Sequence, residues 1–241
     1  MKKTNLVLIG FMGSGKTSLG LRMSYRLRMP VADTDKLIER RQGRSISRIF
    51  GEEGEEYFRR LETGLLGELV EKGYTAIYSV GGGTPLRPEN RELLRQLGKV
   101  FLLRVRPETV YERLKNDTTR PLLQCPDPLK RIRELLESRA EAYESCADVI
   151  LDVDDMGMDE IMTMVEKEMK RMKLLVINGP NINFLGIREK SIYGARDYQY
   201  LLELIREKEK ETGCEITVFQ SNHEGAIIDR IQEAYFDGTQ G

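Results

Sequence analysis

The chain has almost no net charge. Its 241 residues carry 38 Lys+Arg against 39 Asp+Glu, so no global positive field exists to recruit nucleic acid or an anionic membrane. Any anion recognition has to be built locally. Long apolar runs are also missing: none approaches the ~18 residues that span a bilayer, and the apolar stretch after Lys2-Lys3 runs into Gly15-Lys16 without a small-residue cleavage site. The expectation is a cytoplasmic protein with no targeting segment and with neither a membrane nor a nucleic-acid partner. Cysteine is scarce. Cys125, Cys146 and Cys214 are scattered, odd in number and without CxxC spacing, which supports neither a disulfide framework nor a zinc site. A single histidine, His223, leaves no basis for a histidine-rich metal centre. No Gly/Ser-rich linker, internal repeat or low-complexity tract is present.

What the chain does have begins at residue 10. The run Gly10-Phe11-Met12-Gly13-Ser14-Gly15-Lys16-Thr17-Ser18 fits G-x-x-x-x-G-K-[ST], directly after the apolar segment Asn5 to Ile9 and before a helical pattern at Leu19, Met23 and Leu27. In that context the glycines let successive backbone N–H groups turn onto phosphate oxygens, Lys16 adds a positive charge and the Thr17 hydroxyl reaches Mg²⁺. A nucleoside triphosphate is the expected ligand. Up to about Ile150, short apolar runs alternate with longer amphipathic ones, the pattern of β-α units around a parallel sheet. Strands are expected at 6–9, 30–32, 76–80, 100–105 and 149–151. Helices are expected at 16–27, 35–41, 45–50, 54–71, 88–97, 107–114 and 128–143. Residues 154–171 place Ile161, Val165, Met169 and Met172 at helical spacing, expected to be core, and close a first domain at 171. At Met172 the pattern restarts with Lys173 to Asn178, a chain opening on a strand, so a second domain is expected over 172–241.

Further clusters have to decide which acceptor takes the phosphate. Ala32-Asp33-Thr34-Asp35 stands where a second strand should end, with one carboxylate suited to the metal shell and the other to an acceptor hydroxyl; either could instead cap the following helix. Phe58 to Glu62 lies on a helix with Glu55 and Glu56 four residues ahead of Arg59 and Arg60, which also reads as exposed ion pairs. Val80-Gly81-Gly82-Gly83-Thr84-Pro85 follows a buried strand, where three glycines allow close approach of a ligand to the backbone. Thr118 to Leu123 contains Arg120, and Glu137 to Tyr143 contains Arg139. Arginines in a loop over a P-loop clamp the phosphate as charge develops on it.

The ordered set GFMGSGKTS, ADTD, FRRLE, VGGGTP, TTRPLL and ESRAEAY resembles shikimate kinase over residues 1–171. The resemblance implies a P-loop kinase fold, a parallel sheet flanked by helices, working as a monomer with ATP and Mg²⁺. It also implies roles: Gly13, Ser14, Gly15, Lys16, Thr17 and Ser18 hold the nucleotide, and Thr17 and Asp33 organise the metal, Asp33 through water. Asp35 binds the hydroxyls of shikimate and orients or deprotonates the attacking one. Arg59 and Arg139 pair with its carboxylate, Gly81, Gly82 and Gly83 line the ring, and Arg113 and Arg120 belong to the lid, with Lys16, Asp35 and Arg120 as the catalytic set. The loop Leu151 to Asp155 lacks a proline found in many relatives, which leaves the purine side unassigned. Readings left open by the residues are another P-loop small-molecule or nucleoside monophosphate kinase, and a non-catalytic nucleotide-binding scaffold.

In the second segment, Val176-Ile177-Asn178-Gly179-Pro180-Asn181, Leu185 to Glu189, Ile192-Tyr193-Gly194 and Phe219 to Gly225 resemble the opening half of a type II dehydroquinase. That implies an incomplete flavodoxin-like β-α-β-α unit, with Arg188 and Tyr193 as a lid pair, Tyr193 the base, and Asn181 on the enolate. The family's later half, with its general-acid histidine, has no counterpart before Gly241; His223 reads as a helix-start residue instead. Dehydratase activity is not expected from this chain alone, and the segment is expected to need another chain to complete it.

Overall fold

The computed structural model describes residues 5–115, 125–187, 194–237, 239 and 241. The chain divides into two compact units between Met169 and Lys170.

The first unit is organised by β1 (Leu6–Ile9), whose four side chains are all buried. An unbroken Leu-Val-Leu-Ile run suits a strand covered on both faces, where alternation would leave polar groups in the core. β1 pairs in parallel with β3 (Ile77–Ser79) on one side and β4 (Lys99–Arg104) on the other. β2 (Val31–Asp33) and β5 (Val149–Asp152) close the edges, so the all-parallel order is β2-β3-β1-β4-β5. Parallel neighbours require helical crossovers: α1 (Lys16–Leu27), α2 (Thr34–Gln42), α3 (Ile46–Lys72), α4 (Pro88–Leu97), α5 (Pro107–Leu114), α6 (Pro128–Cys146) and α7 (Met158–Lys170). From β1 the chain crosses to the edge strand β2, returns to β3 beside β1 and then passes to β4 on the other side, so a crevice opens at the carboxyl end of β1. The P-loop occupies that crevice.

Element for element the expected strands and helices are present, with two differences. The helices expected at 45–50 and 54–71 are one hydrogen-bonded run, α3, kinked at Gly54 (φ 83°, ψ 172°), where the second of them was to begin. Met172, expected in the core, lies past the end of α7 and is 43% exposed, whereas Ile161 and Val165 are buried. The apolar spacing carried one turn beyond the helix itself.

The second unit is β6 (Lys173–Asn178), a 3-10 turn at Ile182–Phe184, α8 (Tyr198–Thr212), β7 (Glu215–Gln220) and α9 (Glu224–Phe236). β6 and β7 form a parallel two-stranded sheet in register Lys173↔Glu215 through Asn178↔Gln220. Leu175 N donates to Gly241 O at 2.7 Å, so the last residue lies against β6. Neither α8 nor α9 buries any residue fully; Ile228, Ile231, Tyr235 and Phe236 on α9 and Phe184 and Ile187 before α8 are exposed. Two strands and two helices cannot cover these faces.

Candidate active site

The loop between β1 and α1 follows from its glycines. Gly10, Gly13 and Gly15 have φ of 140°, 75° and 97°. At Gly10 a Cβ would stand 2.6 Å from Leu103 O, so only glycine lets the loop turn beside β4. The Gly15 position faces open space, with nothing within 4 Å of where a Cβ would be. Lys16 arches back over the loop, donating to Gly10 O (2.8 Å) and Phe11 O (2.9 Å), and Arg113 at the end of α5 donates to Gly13 O (2.8 Å). A cleft of about 690 Å³ opens here, with residues 12–19, Asp33, Asp35, Gly81, Gly82 and Arg113 on its wall. All the described residues expected to hold nucleotide or metal therefore share one cavity. The lining fits a triphosphate with its divalent cation: a glycine loop opening a helix, the Lys16 ammonium, a hydroxyl at Thr17 and a carboxylate at Asp33.

Asp33 is also the N-cap of α2, its Oδ1 accepting from Lys36 N at 3.2 Å. Capping and lining the cleft coexist. Asp35, in the first turn of the helix, aims at the glycine turn: Asp35 Oδ1 is 2.7 Å from where a Gly81 Cβ would be, and Glu62 Oε1 is 3.0 Å from it. Gly81 and Gly82 stand on the cleft wall, and two of the three turn glycines also serve the protein's own packing. At Gly81 and Gly83 the missing side chains leave room for the protein's own groups, Asp35 and Glu62 at the first and the Arg59 guanidinium at the second. Gly82 instead lies beside the P-loop, a Cβ there falling 3.4 Å from Gly10 O and 3.6 Å from Met12 N.

Arg59 is no ordinary surface pair. Its side chain is 13% exposed and is held by Glu62 (2.6 Å) and Glu55 (2.8 Å). Burial acts to lower its pKa, but Glu62 and Glu55 outweigh it and the net shift is upward, so the guanidinium is charged at every accessible pH. The second expected helix pair is replaced: Glu56 bonds Arg87. Arg139, on α6, places its guanidinium carbon 5.6 Å from the centroid of the Phe11 ring in the P-loop. One turn on, Tyr143 Oη donates to Gly82 O at 2.5 Å, and Arg139 and Arg59 both act on that phenol electrostatically. Arg59, Arg139, Asp35 and the glycine turn therefore converge beside the phosphate loop.

Glu62 and Tyr143 were not singled out by sequence reasoning as site residues. Glu62 is 1% exposed and accepts from both Arg59 and Thr84 Oγ1. A glutamate three residues after an arginine on a helix is ordinary, and only burial reveals it. Ile161 was expected in the core and Met156 and Met158 were given no role, yet all three line the cleft together with Val153. Asp154 Oδ2 accepts from Arg106 N (2.9 Å), tying this loop to the start of α5. Arg120 lies outside the described residues.

In the second unit, Asn181 sits at φ 65° with its N–H donating to Asn222 Oδ1 (2.9 Å), and His223 occupies the N-cap position of α9. Arg188 and Tyr193 lie outside the described residues.

A parallel sheet in this order, with a P-loop at its crevice and a cationic pocket alongside, defines a P-loop phosphotransferase. The shikimate kinase family model matches residues 12–170, and the class II dehydroquinase model matches residues 172–240. A shikimate kinase of Thermodesulfovibrio yellowstonii is 40% identical over 168 residues, 70% of this chain and 96% of that protein. One of Dictyoglomus turgidum is 43% identical over 162 residues, 66% of this chain and 93% of its own length. Among solved structures, the shikimate kinase from Acinetobacter baumannii in complex with shikimate superposes with a TM-score of 0.64 at 34% identity, covering 68% of this chain and 91% of that one. The chain belongs to the shikimate kinase family, and it carries an appended class II dehydroquinase segment.

Proposed function

We propose that this chain transfers the γ-phosphoryl group of ATP to a hydroxyl of shikimate. The observation that carries the reading is the convergence of Arg59, Arg139 and Asp35 on the Gly81–Gly83 turn, beside the glycine loop and within one fold unit. A hydroxylated ring bearing a carboxylate needs cations for the carboxylate and an acceptor for the hydroxyls, and charge-assisted bonds of about 1.5–3 kcal/mol each also orient it. ATP would lie against residues 13–18, and Mg²⁺, which neutralises charge on the phosphates, would be held by Thr17 and Asp33. Lys16 then serves the transferring phosphate and Asp35 orients or deprotonates the attacking hydroxyl, since in-line transfer requires positioning more than covalent help. Arg113 is placed to brace the loop through Gly13 O. Arg120 is assigned to the lid on the family resemblance alone. Val153, Met156 and Met158 offer an apolar wall for the base.

Among the described residues no helix is long and apolar enough to cross a membrane. The kinase unit acts as a monomer in the cytoplasm on this reading. The second unit spans 49% of the type II dehydroquinase from Butyrivibrio crossotus that it resembles and leaves apolar faces open; on this reading another chain covers those faces, and the residues present give no dehydratase turnover by themselves. The decisive experiment is an ADP-release assay with shikimate, gluconate and CMP offered side by side, using Lys16→Ala as the inactive control. Turnover with shikimate alone is expected. Turnover with gluconate or CMP while shikimate is ignored refutes the assignment, and ATP binding, measured by calorimetry, with no turnover of any acceptor favours the scaffold reading.

A further inference from the structure

Tyr143 takes no part in the reaction just described, yet it occupies the junction of its two halves. It stands four residues after Arg139 on α6, so both side chains leave the same face of the helix. The ring is 3% exposed, and its hydroxyl donates to Gly82 O at 2.5 Å. Burial raises the pKa of the phenol, with the charges of Arg139 and Arg59 pulling the other way, and the net upward shift keeps it a protonated donor across the working pH range. A Cβ placed on Gly82 would fall 3.4 Å from Gly10 O, 3.6 Å from Met12 N and 3.7 Å from the Tyr143 hydroxyl, so turn, phenol and P-loop meet at one point, beside the stretch whose carbonyls at Gly10 and Phe11 receive Lys16. Meanwhile Gly81 and Gly83, the flanking residues, are packed by Asp35 and Arg59. One backbone residue therefore touches the donor loop and is fixed by the acceptor helix.

We propose that Tyr143 is a positioning residue that locks the Gly81–Gly83 turn in register with the phosphate loop, so that acceptor hydroxyl and phosphoryl donor meet at reacting distance. The inference rests on the acceptor pocket of the preceding section. A turn free to move by a fraction of an ångström leaves both ligands bound but misaligned, and misalignment is felt at saturation.

The test is Tyr143→Phe in the full chain, which keeps the ring and removes only the donor. The expected result is a kcat lowered about fivefold, the size of one neutral hydrogen bond, with the ATP KM within about twofold of the parent. Because the parent phenol stays protonated, the ratio of parent to variant should be flat from about pH 6 to 9. A second readout needs no acceptor: amide hydrogen exchange of residues 81–84 in the parent protein should slow when ADP and Mg²⁺ are added, and in Tyr143→Phe that response should largely disappear. Unchanged kcat in the variant, even with a lowered Tm, overturns the proposal, as does a parent whose 81–84 amides ignore ADP. If shikimate proves not to be the acceptor, the functional reading fails while the exchange experiment still decides this one.

Discussion

Glu62→Gln isolates the charge that holds the acceptor clamp. In the parent the carboxylate accepts from Arg59 Nη1 at 2.6 Å and from Thr84 Oγ1, inside a site where it is 1% exposed. In the amide, one oxygen remains for Arg59, and the Thr84 hydroxyl can turn to accept from the new NH₂ group, so the number of hydrogen bonds is preserved. What disappears is the carboxylate's charge: the Arg59 bond stays assisted by the guanidinium alone, and the Thr84 bond becomes neutral. A charged hydrogen bond contributes about 1.5–3 kcal/mol and a neutral one about 0.5–1.5, so the difference is roughly 1–1.5 kcal/mol. Glu55 grips the outer side of the same guanidinium, which holds the estimate to that range. Measured by initial rates at fixed saturating ATP, the shikimate KM should rise about fivefold to tenfold, while the ATP KM measured at saturating shikimate stays within about twofold. Glu62→Ala is the harsher comparison, leaving Arg59 and Thr84 short of a buried partner, and should lower Tm by roughly 5–10 °C. An unchanged shikimate KM in Glu62→Gln, or a larger change in the ATP KM than in the shikimate KM, would refute the reasoning.

Two of the turn glycines, Gly81 and Gly82, should respond unequally to alanine. Gly81→Ala forces apart Asp35 and Glu62, whose oxygens lie 2.7 and 3.0 Å from the added carbon, and should cost more than tenfold in kcat/KM for shikimate, whereas at Gly82 the added carbon makes ordinary contacts of 3.4 Å or more and should cost only a few-fold; equal losses would show that the turn is not packed as described. Deleting residues 172–241 should leave kinase rates within about twofold, checked by the same assay, because the core of the first unit is formed by residues up to Val165. Burial raises the Cys146 thiol to about 11, so at pH 8 it stays protonated, and a maleimide or disulfide reagent should modify Cys125 and Cys214 in the native protein and Cys146 only after unfolding. Rapid native labelling of Cys146, read by peptide mass mapping, would contradict its placement.

The layered architecture was legible because its signals are local. The buried Leu6–Ile9 run, the glycine pattern of residues 10–15 and the prolines opening α4, α5 and α6 each specify their element within a few residues. Met172 was misplaced since periodicity alone does not say where a helix stops. The site was half legible. Lys16 declares itself by motif and Asp33 was reached through the family resemblance, whereas the burial of Arg59 depends on Gly83 being brought to its helix by a separate element.

By itself, then, the order of residues determined that a phosphate-binding loop sits between a buried strand and a helix, that a parallel sheet surrounds it, and that a second strand-opened unit follows. Those are properties of short windows, where backbone conformation and the spacing of apolar side chains suffice. Tertiary structure alone decided that Gly81 and Gly83 make room for Asp35, Glu62 and Arg59, that Tyr143 reaches Gly82 across 61 residues of chain, and that the dehydroquinase-like unit leaves its apolar faces open. Such contacts join positions far apart in sequence, and they exist only once the sheet order has set which loops share one end of the fold.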